Sequence, residues 1–200
     1  MRLPAEQRRR QILDVAGPVF ADRGFSATTM DDVAAAAGVT KPVLYQHFPS
    51  KRALFSEMLD DMGHELLTEL ATATSRAATG RERVERGFAA YFRFVAGHRT
   101  SFRVLFGAAA RNDPDFAAIV ERVLDDVADV VASLIDIDAA GEHRRVLAHA
   151  IIGIAEATSR SAIIDPDAGI DADALARWTS ELAWFGLRGV RADDVATVEG

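Results

Sequence analysis

The chain has 200 residues, of which 49% are hydrophobic and 26% charged, and a formal net charge of −7. That length and balance suit one or two soluble globular domains with a sizeable core. There is no cysteine, which excludes disulfides, thiolate metal sites and a cysteine nucleophile.

No apolar run approaches the ~20 residues that span a bilayer. The N-terminus, MRLPAEQRRR, is basic, but no apolar signal core follows it. The expected location is the cytoplasm. The charge is unevenly spread. Residues 1–55 hold eight Lys/Arg against five Asp/Glu, leaving +3, while the remainder carries −10. A mildly basic module joined to an acidic body suits a nucleic-acid reader with a separate second domain.

Ile12, Leu13, Ala16, Val19 and Phe20 recur at helical spacing and predict a first helix over residues 4–23. Arg8, Arg9 and Arg10 at its start are either a solvated end or a basic arm touching phosphates. Gly17-Pro18 in mid-helix removes the bond to the Asp14 carbonyl and predicts a kink. Gly24 ends the helix, and Phe25 completes a small three-helix core.

The stretch from Thr28 to Arg52, TTMDDVAAAAGVTKPVLYQHFPSKR, organises the chain. Thr29 and Asp32 have the spacing of a capping box. Val33, Ala36 and Ala37 give the next helix a small apolar face. Gly38 ends it, because glycine takes the left-handed conformation without penalty. Thr40 is a second cap, and Pro42 sits in the first turn behind it, where proline costs no hydrogen bond. Val39 and Leu44 stand at the positions of a hydrophobic staple. Leu44 and Phe48 share a buried side, which leaves Lys41, Pro42, Tyr45 and Gln46 on the other. Ser50 caps the following helix. On pattern alone, this is either a helix-turn-helix that lays its second helix in the DNA major groove or an ordinary helical hairpin with a solvated polar face.

The segment GFSATTMDDVAAAAGVTKPVLYQHFPSKRALF resembles the DNA-binding domain of the tetracycline-repressor (TetR) family. The resemblance rests on the Gly-Phe pair, the Thr-Thr pair, Ala-Gly-Val, Leu-Tyr-x-His-Phe, and Ser-Lys before an apolar helix. It implies that Thr40, Lys41, Pro42, Tyr45 and Gln46 are recognition-helix contacts. It further implies that Thr29, His47 and Lys51 grip phosphates.

From Lys51 a long helix is expected to about Ala71 or beyond, with Leu54, Phe55, Met58, Leu59, Met62, Leu66 and Leu70 on its apolar side. Thr79-Gly80 is a break. Helices are then expected at Glu82–Gly97, Arg99–Ala110, after Pro114 to about Ile135, Glu142 to about Ile163, and from an Asp171 cap through Leu187. The tail from Arg191 is acidic. Aromatics concentrate between Phe88 and Phe116, which is either plain core or the wall of a ligand pocket. The resemblance implies a pocket for a small effector. Its candidate members are Phe88, Tyr91, Phe92, His98, Phe102, Arg103 and Phe106. Ala150, Gly153, Ala157 and Ser161 form a small-residue stripe, and Leu175, Trp178, Leu182 and Phe185 repeat at spacings of three and four, with Trp184 beside them. These two helices look like a dimerisation surface, and in the family the last two helices pair with their symmetry mates.

No phosphate-cradling glycine motif, serine elbow or HExxH occurs. His149 and Glu156 share a helical face, but two ligands make a poor metal site. The expected fold is all-α, with an N-terminal three-helix DNA-binding domain (residues 1–50) containing a helix-turn-helix. A C-terminal helical domain (residues 51–200) would bind effector and dimerise. The expected function is a non-enzymatic homodimeric transcriptional regulator without a cofactor. It would act as a repressor that binds a palindromic operator in double-stranded DNA and is released by an apolar small molecule. A body that binds a protein instead is the alternative.

Overall fold

A computed structural model describes residues 4–105, 112–137, 140–164 and 171–190. Its regular structure among the described residues is entirely helical: α1 (Ala5–Ala27), α2 (Met30–Ala36), α3 (Lys41–His47), α4 (Lys51–Ser75), α5 (Gly80–Gly97), α6 (Arg99–Leu105), α7 (Pro114–Leu134), α8 (Gly141–Ser159) and α9 (Ala172–Gly189). A short π-helical turn, Arg160–Ile164, follows α8. The end of the expected Arg99–Ala110 helix, the 165–169 loop and the tail from Arg191 lie outside the described residues.

Two compact units are present. The first takes in Met1–His64 and His98–Val123, the second Glu65–Gly97 and Leu124–Gly200. In the first, α1 packs on α2 and α6, and α2 on α3. Its core joins Ile12, Ala16 and Phe20 of α1 to Val33, Leu44, Phe48, Leu54, Phe55 and Phe116. This core therefore draws on residues well beyond position 50. Phe55 lies 5.0 Å from Phe20, 4.9 Å from Phe25 and 4.6 Å from Phe116, centroid to centroid, in tilted or edge-on contacts. These are the geometries that aromatic quadrupoles favour.

The helix ends follow from local chemistry. Gly24, at φ 76°, interrupts the helical run of α1. Pro18 does not break it: α1 continues through this exposed residue. Asp14, whose carbonyl loses its helical donor, is also exposed, so water can supply the missing bond. Gly38, at φ 63°, closes α2. Its N–H donates to Ala35 O at 3.2 Å, and Val39 N–H donates to Ala34 O at 3.0 Å. That pair of bonds is a Schellman motif, and it sets the tight turn into α3. Ser50 Oγ accepts from Ala53 N at 3.0 Å and so caps α4.

Two expectations need correction here. The buried face of α2 is Met30, Val33, Ala34 and Ala37, while Ala36 is exposed. At 100° per residue, Ala36 points roughly 110° from the centre of that stripe. The helix expected from Glu142 to Ile163 is α-helical only to Ser159 and widens into the π turn thereafter. All seven expected apolar positions of α4 are buried.

In the second unit, α5 packs principally on α9, burying Phe88, Phe92 and Val95 alongside Leu175, Ala176, Thr179 and Ala183. Asp171 caps α9 by accepting from Ala174 N at 3.2 Å. A smaller cluster, Ala128, Ile135 and Ala148 with Leu187 against it, ties α7, α8 and α9 together.

Candidate nucleic-acid interface

The capping box at the start of α2 is complete. Thr29 Oγ1 donates to Asp32 Oδ2 at 2.7 Å and accepts from Asp32 N at 3.2 Å, while Thr29 N donates to Asp32 Oδ2 at 2.8 Å. Arg23 Nη1 adds a bond to Asp32 Oδ1 at 2.6 Å. The Thr29 bonds, supported by Arg23, hold the Asp32 carboxyl below its ordinary range. The Thr29 hydroxyl is thus engaged in holding the helix. Thr40 sits at the N-cap of α3, but its side chain makes no capping bond. Its hydroxyl is exposed.

On α3, Leu44 and Phe48 are fully buried, and Lys41, Pro42, Tyr45 and Gln46 are exposed. The structure therefore brings Thr40, Lys41, Pro42, Tyr45 and Gln46 onto one open surface of a seven-residue helix. His47 is half-buried at its end. Its carbonyl accepts from Arg9 Nη1 at 2.7 Å. Arg9 also pairs with Glu57 and lies 4.5 Å above the Phe48 ring. Gln11 Nε2 donates to Ala37 O at 3.0 Å. Side chains of α1 thus hold the exits of both α2 and α3.

Lys51 has a different setting from the one its resemblance implies. Its Nζ donates to the carbonyls of Phe25, Ser26 and Thr28 at 2.7, 3.2 and 2.8 Å. It also stands 4.6 Å over the Phe25 ring. A lysine ammonium has three donors, and in this geometry all three serve the chain end of α1.

Internal pairing extends to every described lysine and arginine between residues 4 and 55. Arg8 bonds Gln11, and Arg10 pairs with Asp14 and Asp61. Lys41 Nζ lies 2.9 Å from Asp31 Oδ2. This hydrogen bond, with the charge of Asp31, raises the lysine above its ordinary pKa. Arg52 pairs with Asp113 at 2.7 Å and with Asp115 at 3.2 Å. The +3 of the N-terminal stretch is therefore not a free basic patch. The arginines at the start of α1 are tied to their own chain rather than forming a loose arm.

Of the residues expected in an effector pocket, Phe88, Tyr91 and Phe92 belong to the second unit and His98, Phe102 and Arg103 to the first. Phe106 lies outside the described residues. Phe88 and Phe92 stack at 6.0 Å, and Tyr91 meets Phe92 edge-on at 5.4 Å. Phe102 is buried and Arg103 exposed. Burial pushes the Tyr91 hydroxyl up to about 12, against a hydrogen bond with Ser159 that favours its ionised form. Tyr91 is thus a neutral donor at any physiological pH.

All seven residues expected at a dimer interface are exposed. Ala150, Gly153, Ala157 and Ser161 line the outer face of α8 and its π turn, and Trp178, Leu182 and Phe185 stand 59–62% exposed on α9. Val146, 62% exposed, extends the same α8 stripe. Sequence reasoning missed it, although it lies four residues before Ala150. Asp31 was missed as a neighbour of Lys41, since their contact crosses the turn.

No helix of the described residues is long and apolar enough to cross a membrane. No cluster of three metal-ligating side chains occurs among those residues.

Comparison with known proteins agrees with this architecture. Residues 12–58 match the model for bacterial regulatory proteins of the tetR family, and residues 80–186 match a tetracyclin repressor-like C-terminal domain. The HTH-type transcriptional activator FasR of Mycolicibacterium smegmatis is 35% identical over 93% of this chain and 85% of its own length. The HTH-type transcriptional repressor KstR2 of Mycobacterium tuberculosis is 32% identical over 58% of each chain. A TetR-like regulator from Rhodococcus sp. RHA1 superposes with a TM-score of 0.74 at 34% identity, covering 94% of this chain and 100% of the other. With a helix-turn-helix, a helical body and these matches to transcriptional regulators, the chain belongs to the TetR family of DNA-binding transcriptional regulators.

Proposed function

We propose that the protein is a homodimer whose two α3 helices read the half-sites of a palindromic operator. The open surface of Thr40, Lys41, Pro42, Tyr45 and Gln46, backed by fully buried Leu44 and Phe48, carries this reading. Tyr45 and Pro42 offer apolar contact to a thymine methyl, and Gln46 offers paired donor and acceptor groups to adenine. His47 and Thr29 flank that surface as phosphate-side residues, while Lys51 holds the end of α1 through the carbonyls of Phe25, Ser26 and Thr28. Residues 1–50 serve as the reader, and residues 51–200 sense effector and dimerise.

The dimer runs through α8 and α9. Trp178, Leu182 and Phe185 project as an apolar ridge, and the small side chains of Ala150, Gly153, Ala157 and Ser161 offer a shallow strip. Ridge on one copy and strip on the other satisfy a two-fold interface. Such burial removes an exposed patch that would otherwise promote aggregation. An apolar effector is held by aromatic residues of the second unit, Phe88, Tyr91 and Phe92. The Tyr91 hydroxyl acts as a neutral donor. Effector binding releases DNA by shifting the spacing of the two recognition helices, with continuous α4 as the stiff element that passes the motion on. Repression in the cytoplasm is the reading implied by the family. Activation is the second reading, favoured by the FasR match over 93% of this chain.

Selection of bound sequences from random duplex DNA at fixed salt tests the operator. An enriched palindrome supports the reading, and its absence overturns it. A promoter carrying that palindrome, transcribed with and without the protein, then separates repression from activation. Tyr45→Ala should weaken the selected site by about 1–3 kcal/mol and leave random duplex binding unchanged.

A further inference from the structure

The reader's cations are already engaged within the chain. Each described lysine and arginine between residues 4 and 55 is bonded within the chain. Most of those partners stabilise the fold: Lys51 closes the end of α1, Arg9 the end of α3, Arg23 the capping box. Lys41 is different. Among the described residues its side chain bonds to Asp31 alone, across the turn between α2 and α3. The lysine side chain is 54% exposed and the carboxylate 64% exposed. An ion pair that open to water contributes little to stability. Asp31 also sits beside the recognition surface, where a carboxylate repels phosphate. As a fold element the pair is nearly redundant, and as part of a DNA-binding face it is a liability.

We propose that Asp31 is a specificity-determining residue that withholds Lys41 from sequence-independent phosphate binding. A duplex that α3 does not fit brings no phosphate into fixed register with Lys41, so the lysine stays with its own carboxylate. On the operator, the contacts of Tyr45 and Gln46 hold α3 in place, and Lys41 exchanges Asp31 for DNA. The pair thereby converts a general attraction into one realised only on the right sequence. Repulsion of the wrong partner is a recognised route to specificity. This inference rests on α3 being the DNA-reading helix.

The test compares wild type, Asp31→Asn, Lys41→Gln and the double variant. The probes are a random-sequence 30-base-pair duplex and the selected operator, each titrated between 50 and 200 mM salt. Freeing one lysine adds about one released counterion. Asp31→Asn should therefore steepen the log affinity–log salt slope on random duplex by about 0.9, a roughly three- to fourfold larger loss across that range. The operator-to-random ratio should fall. Lys41→Gln should leave the random-duplex slope of wild type unchanged but weaken operator binding. The double variant should lose the added slope. An unchanged slope in Asp31→Asn overturns the proposal. So does added slope that survives in the double variant, which would mean a diffuse charge effect rather than release of Lys41. Wild type that binds neither probe refutes the DNA-reading role of α3 itself. Wild type that binds both, with Asp31→Asn identical to it, refutes the role of Asp31 alone. Melting curves of the four proteins should coincide, since both side chains are exposed.

Discussion

Lys51→Ala separates two roles for one cation. The resemblance assigns Lys51 to a DNA phosphate, whereas the structure spends its three donors on the carbonyls of Phe25, Ser26 and Thr28. A hydrogen bond to a charged group contributes roughly 1.5–3 kcal/mol net. Three such bonds from one half-buried ammonium do not add, and freeing the side chain returns up to about 2 kcal/mol of rotamer entropy. Contact of the ammonium with the Phe25 ring supplies about 0.5–1 kcal/mol more. The net expectation is a loss of roughly 2 kcal/mol. For a chain of 200 residues that is a fall in Tm of roughly 4–8 °C. Circular-dichroism melts measure it. Titration of random duplex well below the melting range should give a salt slope equal to that of wild type. An unchanged Tm together with a slope reduced by about one unit would refute the structural role and restore the phosphate role.

Gly63→Ala should destabilise the first unit by about 1–3 kcal/mol. Its new Cβ would lie 2.5 Å from Val123 Cγ2 and 2.9 Å from Cγ1, and Val123→Ala in the same chain should restore most of the loss in a urea titration. Trp178→Glu should convert the dimer to monomer in sedimentation experiments without altering helical content, because the side chain is 59% exposed. A variant that stays dimeric would move the interface elsewhere. Asp32→Asn should lower stability at neutral pH. The folded pKa of Asp32 is depressed below 3.8 by Thr29 and Arg23, so its stabilisation is present above that value and is lost as pH falls through the folded pKa. The melting curves of wild type and variant should therefore converge in strong acid, and a difference that persists there would deny the capping role.

The open face of α3 was legible because its determinants are local. The capping box, Gly38 at positive φ and the Leu44–Phe48 spacing all act within four residues, the range over which helix geometry is dictated by neighbouring sequence. The spacing of Trp178, Leu182 and Phe185 was equally visible, but its orientation was not. Leu175, Ala176, Thr179 and Ala183 give α9 a second apolar side, and it is that side which the chain buries. Helical period reports that a stripe exists, not which stripe meets the chain's own core.

The sequence alone carries the helices, the caps at Thr29, Ser50 and Asp171, the turn that presents α3 and the family to which the chain belongs. Only the tertiary structure decided what the charges do. Lys51 reaches back to residues 25–28, Arg9 reaches forward to His47 and Glu57, and Phe116 joins Phe25 and Phe55 from a distant part of the chain. These contacts span tens of residues, and no local spacing encodes them. A cation read from sequence carries only its charge. Whether that charge is available to DNA depends on which acid or carbonyl the folded chain has already set beside it.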